Sequence, residues 1–179
     1  SGALNHVDVP RSFFAPLGRT YSFHKNLRRT IAGRSFDIVY SIARTWPSDV
    51  FRVSEQVHIE WMKMRYSPWQ KFNPRHAALL ELERKIFTPG NTRAVVVNSL
   101  LAKRQIIANY GYPEDRIHHV RNGVDRDIFS PARDAAEKGE TREKLAIPPG
   151  KTVFLLPAAM NFGIKGVDSA IRAVAELAK

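Results

Sequence analysis

The sequence predicts an α/β protein of Rossmann-like βα units, and three observations lead there. Residues 36–42, 94–97 and 152–156 are runs of Val, Ile, Leu and aromatic side chains suited to buried strands, with shorter candidates at 50–53 and 117–120. Between them, apolar residues recur at three- and four-residue spacing, as in helices packed by one face. Pro, Gly and Asn punctuate the junctions. Strand and helix in alternation make a doubly wound architecture, which takes ligands beyond the carboxyl ends of its strands.

Composition narrows the class. At 179 residues and 44% hydrophobic, the chain reads as a soluble globular protein of one or two domains. No apolar run approaches the roughly 18 residues that span a bilayer, and the first residues lack a signal-peptide core. The absence of Cys excludes disulfide scaffolds, thiol catalysis and Cys-based zinc sites, and fits a cytoplasmic setting. A net charge of +11 favours an anionic partner: nucleic acid, anionic membrane or a phosphorylated small molecule.

In chain order, residues 4–9 alternate apolar and polar side chains up to Pro10, which suits a short strand. Residues 21–31 set Phe23, Leu27 and Ile31 four apart among His24, Lys25, Arg28 and Arg29, an amphipathic basic helix. Residues 36–42 read as a strand buried on both faces, followed by a strand at 50–53 and a loop at 54–61. Residues 61–72 interleave Trp61, Tyr66, Trp69 and Phe72 with Lys63, Arg65 and Lys71, a composition open to a lipid headgroup layer, to stacked bases or to a helix with one buried side. Asn73-Pro74 caps and starts a helix that ends at Phe87 before Pro89-Gly90. After the strand at 94–97, Asn98 or Ser99 caps a helix packed by Leu100, Leu101, Ile106 and Ile107 and closed at Gly111.

The strand at 117–120 stops at Asn122-Gly123, whose tolerance of positive φ predicts a turn. Asp125 caps the next short turn, and Pro131 prevents a helix from running on, so this stretch reads as a crossover between domains. Residues 1–124 then belong to one domain and 125–179 to the linker and start of a second. Beyond it come a polar linker at 135–139, a short helix at 141–146, a break at Pro148-Pro149-Gly150, the strand at 152–156 and a helix at 169–177.

Two stretches carry chemistry. In the loop at 54–61, Glu55, His58 and Glu60 offer a proton-transfer or hydroxyl-binding group, since His titrates near neutrality and carboxylates accept from hydroxyls. Before the last helix, Gly163, Lys165 and Gly166 set small residues and a cation at a strand-to-helix junction, where backbone N–H groups and the helix end attract phosphate. The stretch matches neither G-x-x-x-x-G-K-[ST] nor G-x-G-x-x-G.

The joint order of the strand at 94–97, Asn98-Ser99, Tyr110-Gly111-Tyr112-Pro113, Asn122-Gly123-Val124-Asp125, Phe129-Ser130-Pro131 and Lys165-Gly166-Val167-Asp168 resembles the middle of a family 4 glycosyltransferase of the GT-B fold. Val57-His58-Ile59-Glu60-Trp61 and Leu82-Glu83-Arg84-Lys85-Ile86-Phe87 make it similar to lipopolysaccharide-core glucosyltransferases of the WaaG type. The resemblance implies parts of two Rossmann-like domains, an acceptor side in the first and a nucleotide-sugar site in the second. It puts Lys165, with Gly163 and Gly166, on the donor phosphates, Asn122 and Gly123 at the cleft floor, and His58 and Glu60 on the acceptor side as catalytic candidates. It implies a retaining transfer of a hexose, glucose from UDP-glucose above all, to a lipopolysaccharide-core or other lipid-linked glycan, with no metal and no cofactor beyond the donor substrate. It also implies peripheral contact with the anionic inner membrane on the cytoplasmic side.

Ile164 stands where related enzymes can carry Arg, and Ala158-Ala159 replaces a Gly-containing turn. The resemblance further implies a central fragment, lacking the first Gly-rich loop and the distal E-x7-E pair and inactive alone; the sheet edges and apolar faces that such a fragment exposes predict pairing with its own copy. The rival reading is a basic nucleic-acid-binding module using residues 61–72. No helix-turn-helix, RNA-binding sheet motif or metal spacing supports it, and it ranks below the enzyme.

Overall fold

The computed structural model describes residues 6–10, 16–158 and 162–177. The chain divides into two compact units, Ser1–Gly123 and Val124–Lys179. In the first, α1 (Pro16–Ile31) leads to β1 (Tyr40–Ser41), β2 (Ser48–Val53), α2 (His58–Arg65) and a 3-10 turn at Trp69–Phe72. Then follow α3 (Pro74–Ile86), β3 (Thr92–Val97), α4 (Leu100–Tyr110) and β4 (Ile117–His119).

The four strands form one fully parallel sheet in the order β1-β2-β3-β4. Register puts Phe51 beside Val95, Val53 beside Val97 and Val95 beside Ile117, so these β-branched and aromatic side chains share one face. Onto that face α3 sets Ile86, with Phe87 just beyond it, and α4 sets Ala102 and Ile106; with Val57 and Tyr112 these complete the core. Each fully buried Val or Ile contributes about 1.5–3 kcal/mol relative to exposure. The Tyr112 hydroxyl donates to the Thr92 carbonyl at 2.9 Å, satisfying a phenol buried in that apolar layer.

Local signals fix the helix ends. Asn73 accepts from the Arg75 N–H with Pro74 in the first turn, Ser99 accepts from the Ala102 N–H, and Gly111 closes α4 in the left-handed region at φ 60°. A broken segment replaces any single helix over 61–72: α2 ends at Arg65, and the 3-10 turn follows Pro68.

Four sequence expectations in this unit are corrected. Residues 36–42 pair over Tyr40–Ser41 alone, at the sheet edge, with Phe36, Ile38, Tyr40 and Ile42 exposed, because an edge strand has one neighbour and one covered side. Residues 54–61 are not all loop: α2 starts at His58. On α4, Leu100 and Leu101 are exposed, and Ala102 and Ile106 take the core positions. Neither Asn122 nor Gly123 has positive φ; the tight turn falls later, where Asp125 accepts from the Asp127 and Phe129 N–H groups. The strand expected at 4–9 lies partly outside the described residues, and its described part is irregular.

The second unit contains α5 (Ala135–Lys144), α6 (Phe162–Lys165) and α7 (Val167–Leu177). Residues 135–139 are helix rather than linker, because Asp134 caps them by accepting from the Glu137 N–H at 2.8 Å. The helix closes through paired bonds from Ala146 N–H to Glu143 and Ile147 N–H to Arg142, with Ala146 at φ 52° where glycine is usual. Residues 152–156 form no strand, and Val153, Phe154, Leu155 and Leu156 are exposed. Among the described residues every strand lies in the first unit, so this apolar run has no ladder to join within its own unit.

Candidate active site

A cavity of about 450 Å³ opens where the chain leaves the carboxyl ends of β1 and β2. Its walls come from Ile42, Ala43 and Arg44 after β1, from residues 51–57 at and beyond the end of β2, and from Arg75, Leu79, Glu83 and Phe87 of the α3 region; Phe23 of α1 adds an aromatic side. Three guanidinium groups, Arg44, Arg52 and Arg75, and two carboxylates, Glu55 and Glu83, supply its charge. This is the end of a parallel sheet at which open α/β folds bind ligands.

Glu83 organises the site. Only 4% exposed, its carboxylate accepts from the His58 backbone N–H at 2.9 and 3.0 Å and from the Tyr110 hydroxyl at 2.7 Å. Arg44 Nε lies 3.5 Å from Glu83 Oε1, and Arg44 Nη1 donates to Glu55 at 3.1 Å. Burial raises the Glu83 carboxyl above its ordinary pKa, against the downward pull of Tyr110, the His58 N–H and Arg44. Burial, and then the Glu83 charge, push the Tyr110 phenol up.

His58 occupies the first turn of α2 with its ring turned inward, 7% exposed, and Nε2 2.9 Å from His76 Nδ1. His76 in turn packs its ring 4.4 Å from Tyr66. Burial, followed by the charge that His76, Arg44 and Arg75 would oppose to it, lowers the His58 pKa to about 4, so the imidazole is neutral at pH 7. Burial also lowers His76. What His58 gives the cavity wall is its main chain, through Glu83; its imidazole is not among the lining groups. Glu60 lies away from the lining, bound to Lys63 and to Asn109 at 2.9 Å, and these bonds hold its pKa below the ordinary value.

Of the crossover residues, Asn122 reaches the site indirectly: Arg52, on the wall, donates to Asn122 Oδ1 at 2.9 Å. A methyl group added at Gly123 would meet nothing within 4 Å, so open space surrounds this residue. In the second unit, Gly163 and Lys165 lie on the four-residue α6 rather than in an open loop, both exposed. Gly166, at φ 70°, separates α6 from α7 and accepts from the Ala170 N–H at 2.9 Å. Among the described residues no group of three or more His, Asp or Glu side chains is placed to hold a metal ion.

The family model described as Glycosyltransferase Family 4 matches residues 2–128, well over half of the chain. The chain belongs to that family. It is 32% identical over 83 residues to D-inositol 3-phosphate glycosyltransferase 1 of Catenulispora acidiphila, covering 46% of this chain and 19% of that protein. A second match, D-inositol 3-phosphate glycosyltransferase of Xylanimonas cellulosilytica, is 31% identical over 86 residues, 47% of this chain and 20% of that one. The crystal structure of WaaG, a glycosyltransferase involved in lipopolysaccharide biosynthesis, superposes with a TM-score of 0.77 at 19% identity, covering 98% of this chain and 48% of that chain. The likeness establishes the GT-B, Rossmann-like fold. The chain thus spans about a fifth of the curated relatives and about half of the WaaG chain.

In this Family 4 chain, sequence reading singles out the side chains of Glu55, His58 and Glu60, of which Glu55 lines the cavity and His58 meets it only through its main-chain bond to Glu83, and it misses Arg44, His76, Glu83 and Tyr110. A signal for two of them is present. His76, Leu79, Glu83 and Ile86 fall at 3-4-3 spacing, so an imidazole and a carboxylate sit on the apolar stripe of α3, where an unpartnered charge would be costly.

Proposed function

We propose that the full-length protein transfers a hexose, glucose from UDP-glucose, to a glycan acceptor with retention of configuration. The observation that carries this reading is a Family 4 chain whose cavity at the strand ends mixes guanidinium and carboxylate groups. Carboxylates accept from sugar hydroxyls, and guanidinium forks hold anionic substituents in fixed geometry. The donor diphosphate falls to the second unit, where the Lys165 ammonium offsets the charge that grows on the departing nucleotide; this is electrostatic stabilisation of the leaving group. Gly163 and Gly166 leave the backbone beside Lys165 open to a phosphate, and Asn122 with Gly123, at the crossover, forms the cleft floor on which the donor rests, with Asn122 held by Arg52. Buried and neutral, His58 supports the acceptor wall through its main-chain bond to Glu83, while Glu60 braces α2 against α4 through Asn109.

The acceptor is a lipopolysaccharide-core or lipid-linked saccharide at the cytoplasmic face of the inner membrane. Trp69 and Phe72 stand more than 80% exposed in the 3-10 turn that follows α2, and at the end of α2 Arg65 lies 5.0 Å over the Trp61 ring. Such a pairing of aromatic and cationic side chains suits the headgroup layer of anionic lipid. No helix among the described residues is long and apolar enough to cross a membrane. A second acceptor, D-inositol 3-phosphate, is favoured by the names of the two curated relatives.

The test is a transfer assay with UDP-glucose and competing nucleotide sugars, offered core lipooligosaccharide in one arm and D-inositol 3-phosphate in the other. Product in the first arm supports the lipid-linked reading, and product in the second alone replaces it. No transfer in either arm, together with RNA binding that falls steeply with salt, would return the protein to the nucleic-acid class.

A further inference from the structure

We propose that Glu83 is a positioning residue whose carboxylate aims the Arg44 guanidinium into the cavity to receive an anionic group of the acceptor. The identity of that ligand as the acceptor rests on the glycosyl-transfer reading; the aiming itself does not.

The geometry is more elaborate than a helix start requires. Accepting the His58 N–H would suffice to cap α2, yet the same carboxylate also takes the Tyr110 hydroxyl and stands beside Arg44 Nε. Glu83 of α3 therefore joins the loop after β1, the start of α2 and the end of α4 at one buried point. Arg44 is braced from two sides, by buried Glu83 through Nε and by exposed Glu55 through Nη1. All three line the same cavity. A guanidinium held by two of its nitrogens has lost most of its rotamer freedom before a ligand arrives, so the ordering cost of binding falls on folding. With Arg52 and Arg75 on the same walls, the guanidinium groups outnumber the carboxylates by three to two, and the Glu83 charge is already shared among three donors. The ligand chemistry that fits is an anion on a polyhydroxylated molecule, a phosphate or carboxylate, with Glu55 free to accept from a neighbouring hydroxyl as well.

Two readouts on the full-length protein test this. In the transfer assay, Glu83→Gln and Arg44→Ala each raise the acceptor KM about tenfold or more while the UDP-sugar KM stays within twofold, and Glu83→Gln adds nothing further in the Arg44→Ala background. Independently of any activity, the Arg44 Nε–Hε NMR signal titrates with inorganic phosphate in the parent, and the apparent Kd rises about tenfold in Glu83→Gln. If Glu83→Gln does not fold, Glu83→Asp, which keeps the charge but withdraws it by one methylene, shows the same change in smaller degree. A lower melting temperature with acceptor KM and phosphate Kd both within twofold of the parent would overturn the proposal and leave Glu83 as a structural cap. If the parent transfers no sugar while the phosphate readout behaves as stated, the glycosyl-transfer reading fails and the aiming of Arg44 stands.

Discussion

The two units of this chain both carry runs of apolar residues and do opposite things with them. In Ser1–Gly123, four parallel strands stack Val95, Val97, Phe51 and Ile117 on one face under α3 and α4, and the resulting core excludes water. In Val124–Lys179, none of the helices among the described residues buries a side chain, and Phe154, Leu155, Phe162 and Leu177 stand in solvent. An apolar run becomes a strand only when a second strand supplies the ladder. Residues 94–97 have two such neighbours, and residues 152–156 have none within their unit.

The comparison breaks most easily at the core. Replacing Ile86 by Ala deletes a fully buried side chain and should cost the first unit about 2–5 kcal/mol. Leu155→Ala, at a position 85% exposed, should change stability by less than about 0.5 kcal/mol. Denaturant-dependent hydrogen exchange, read separately on β3 and α7 amides, checks both; equal losses in the two units would contradict the contrast.

A second effect should be confined to the first unit and appear with pH. His58 binds its proton at about 4 when folded and at 6.5 when unfolded, so between these values the unfolded chain holds the extra proton. Stability is therefore lost as pH falls from 6.5 towards 4. His76, also lowered, adds in the same direction. Glu83, raised by burial, acts oppositely: its contribution falls as pH rises above its ordinary 4.5. Urea titrations at several pH values should show the acid-side loss in the parent and a clearly shallower one in His58→Gln. An unchanged slope would mean that other groups carry it.

The smallest effect belongs to the second unit. Ala146 closes α5 at φ 52°, a conformation that costs a side-chain-bearing residue about 1 kcal/mol more than glycine. Ala146→Gly should raise α5 helicity and its exchange protection by somewhat less than that, since glycine also gains freedom when unfolded. No gain in protection would show that the turn is held by something other than its local backbone.

Much of the first unit is legible in its residues. Asn73-Pro74, Ser99 and Gly111 state the ends of α3 and α4 in local chemistry that tertiary packing does not override. Three things are not legible. Edge position depends on which strands pair, so the apolar run at 36–42 looks like a buried strand although Ile38 and Ile42 face outward. The start of α2 at His58 carries no side-chain cap, and its N–H is satisfied by a carboxylate 25 residues later. The site itself combines the loops after β1 and β2, the end of β2 and parts of four helices, so Arg44, Tyr110 and Glu83 become neighbours only after folding; of these, Glu83 alone betrays itself by interrupting an apolar stripe. In the second unit, Asp134 is an available cap for α5, masked in the sequence because Gly139 and the charges at 137–140 resemble a linker.

The proposed function depends above all on the exposed Lys165 of the second unit holding the phosphates of a nucleotide-sugar donor. Calorimetric titration of the full-length protein with UDP-glucose, beside the same protein carrying Lys165→Ala, tests it most directly. Saturable binding by the parent is expected, weakened at least tenfold in the variant, with melting temperatures alike because the side chain is exposed. Equal binding by both proteins, or none by the parent to any nucleotide sugar, would contradict it.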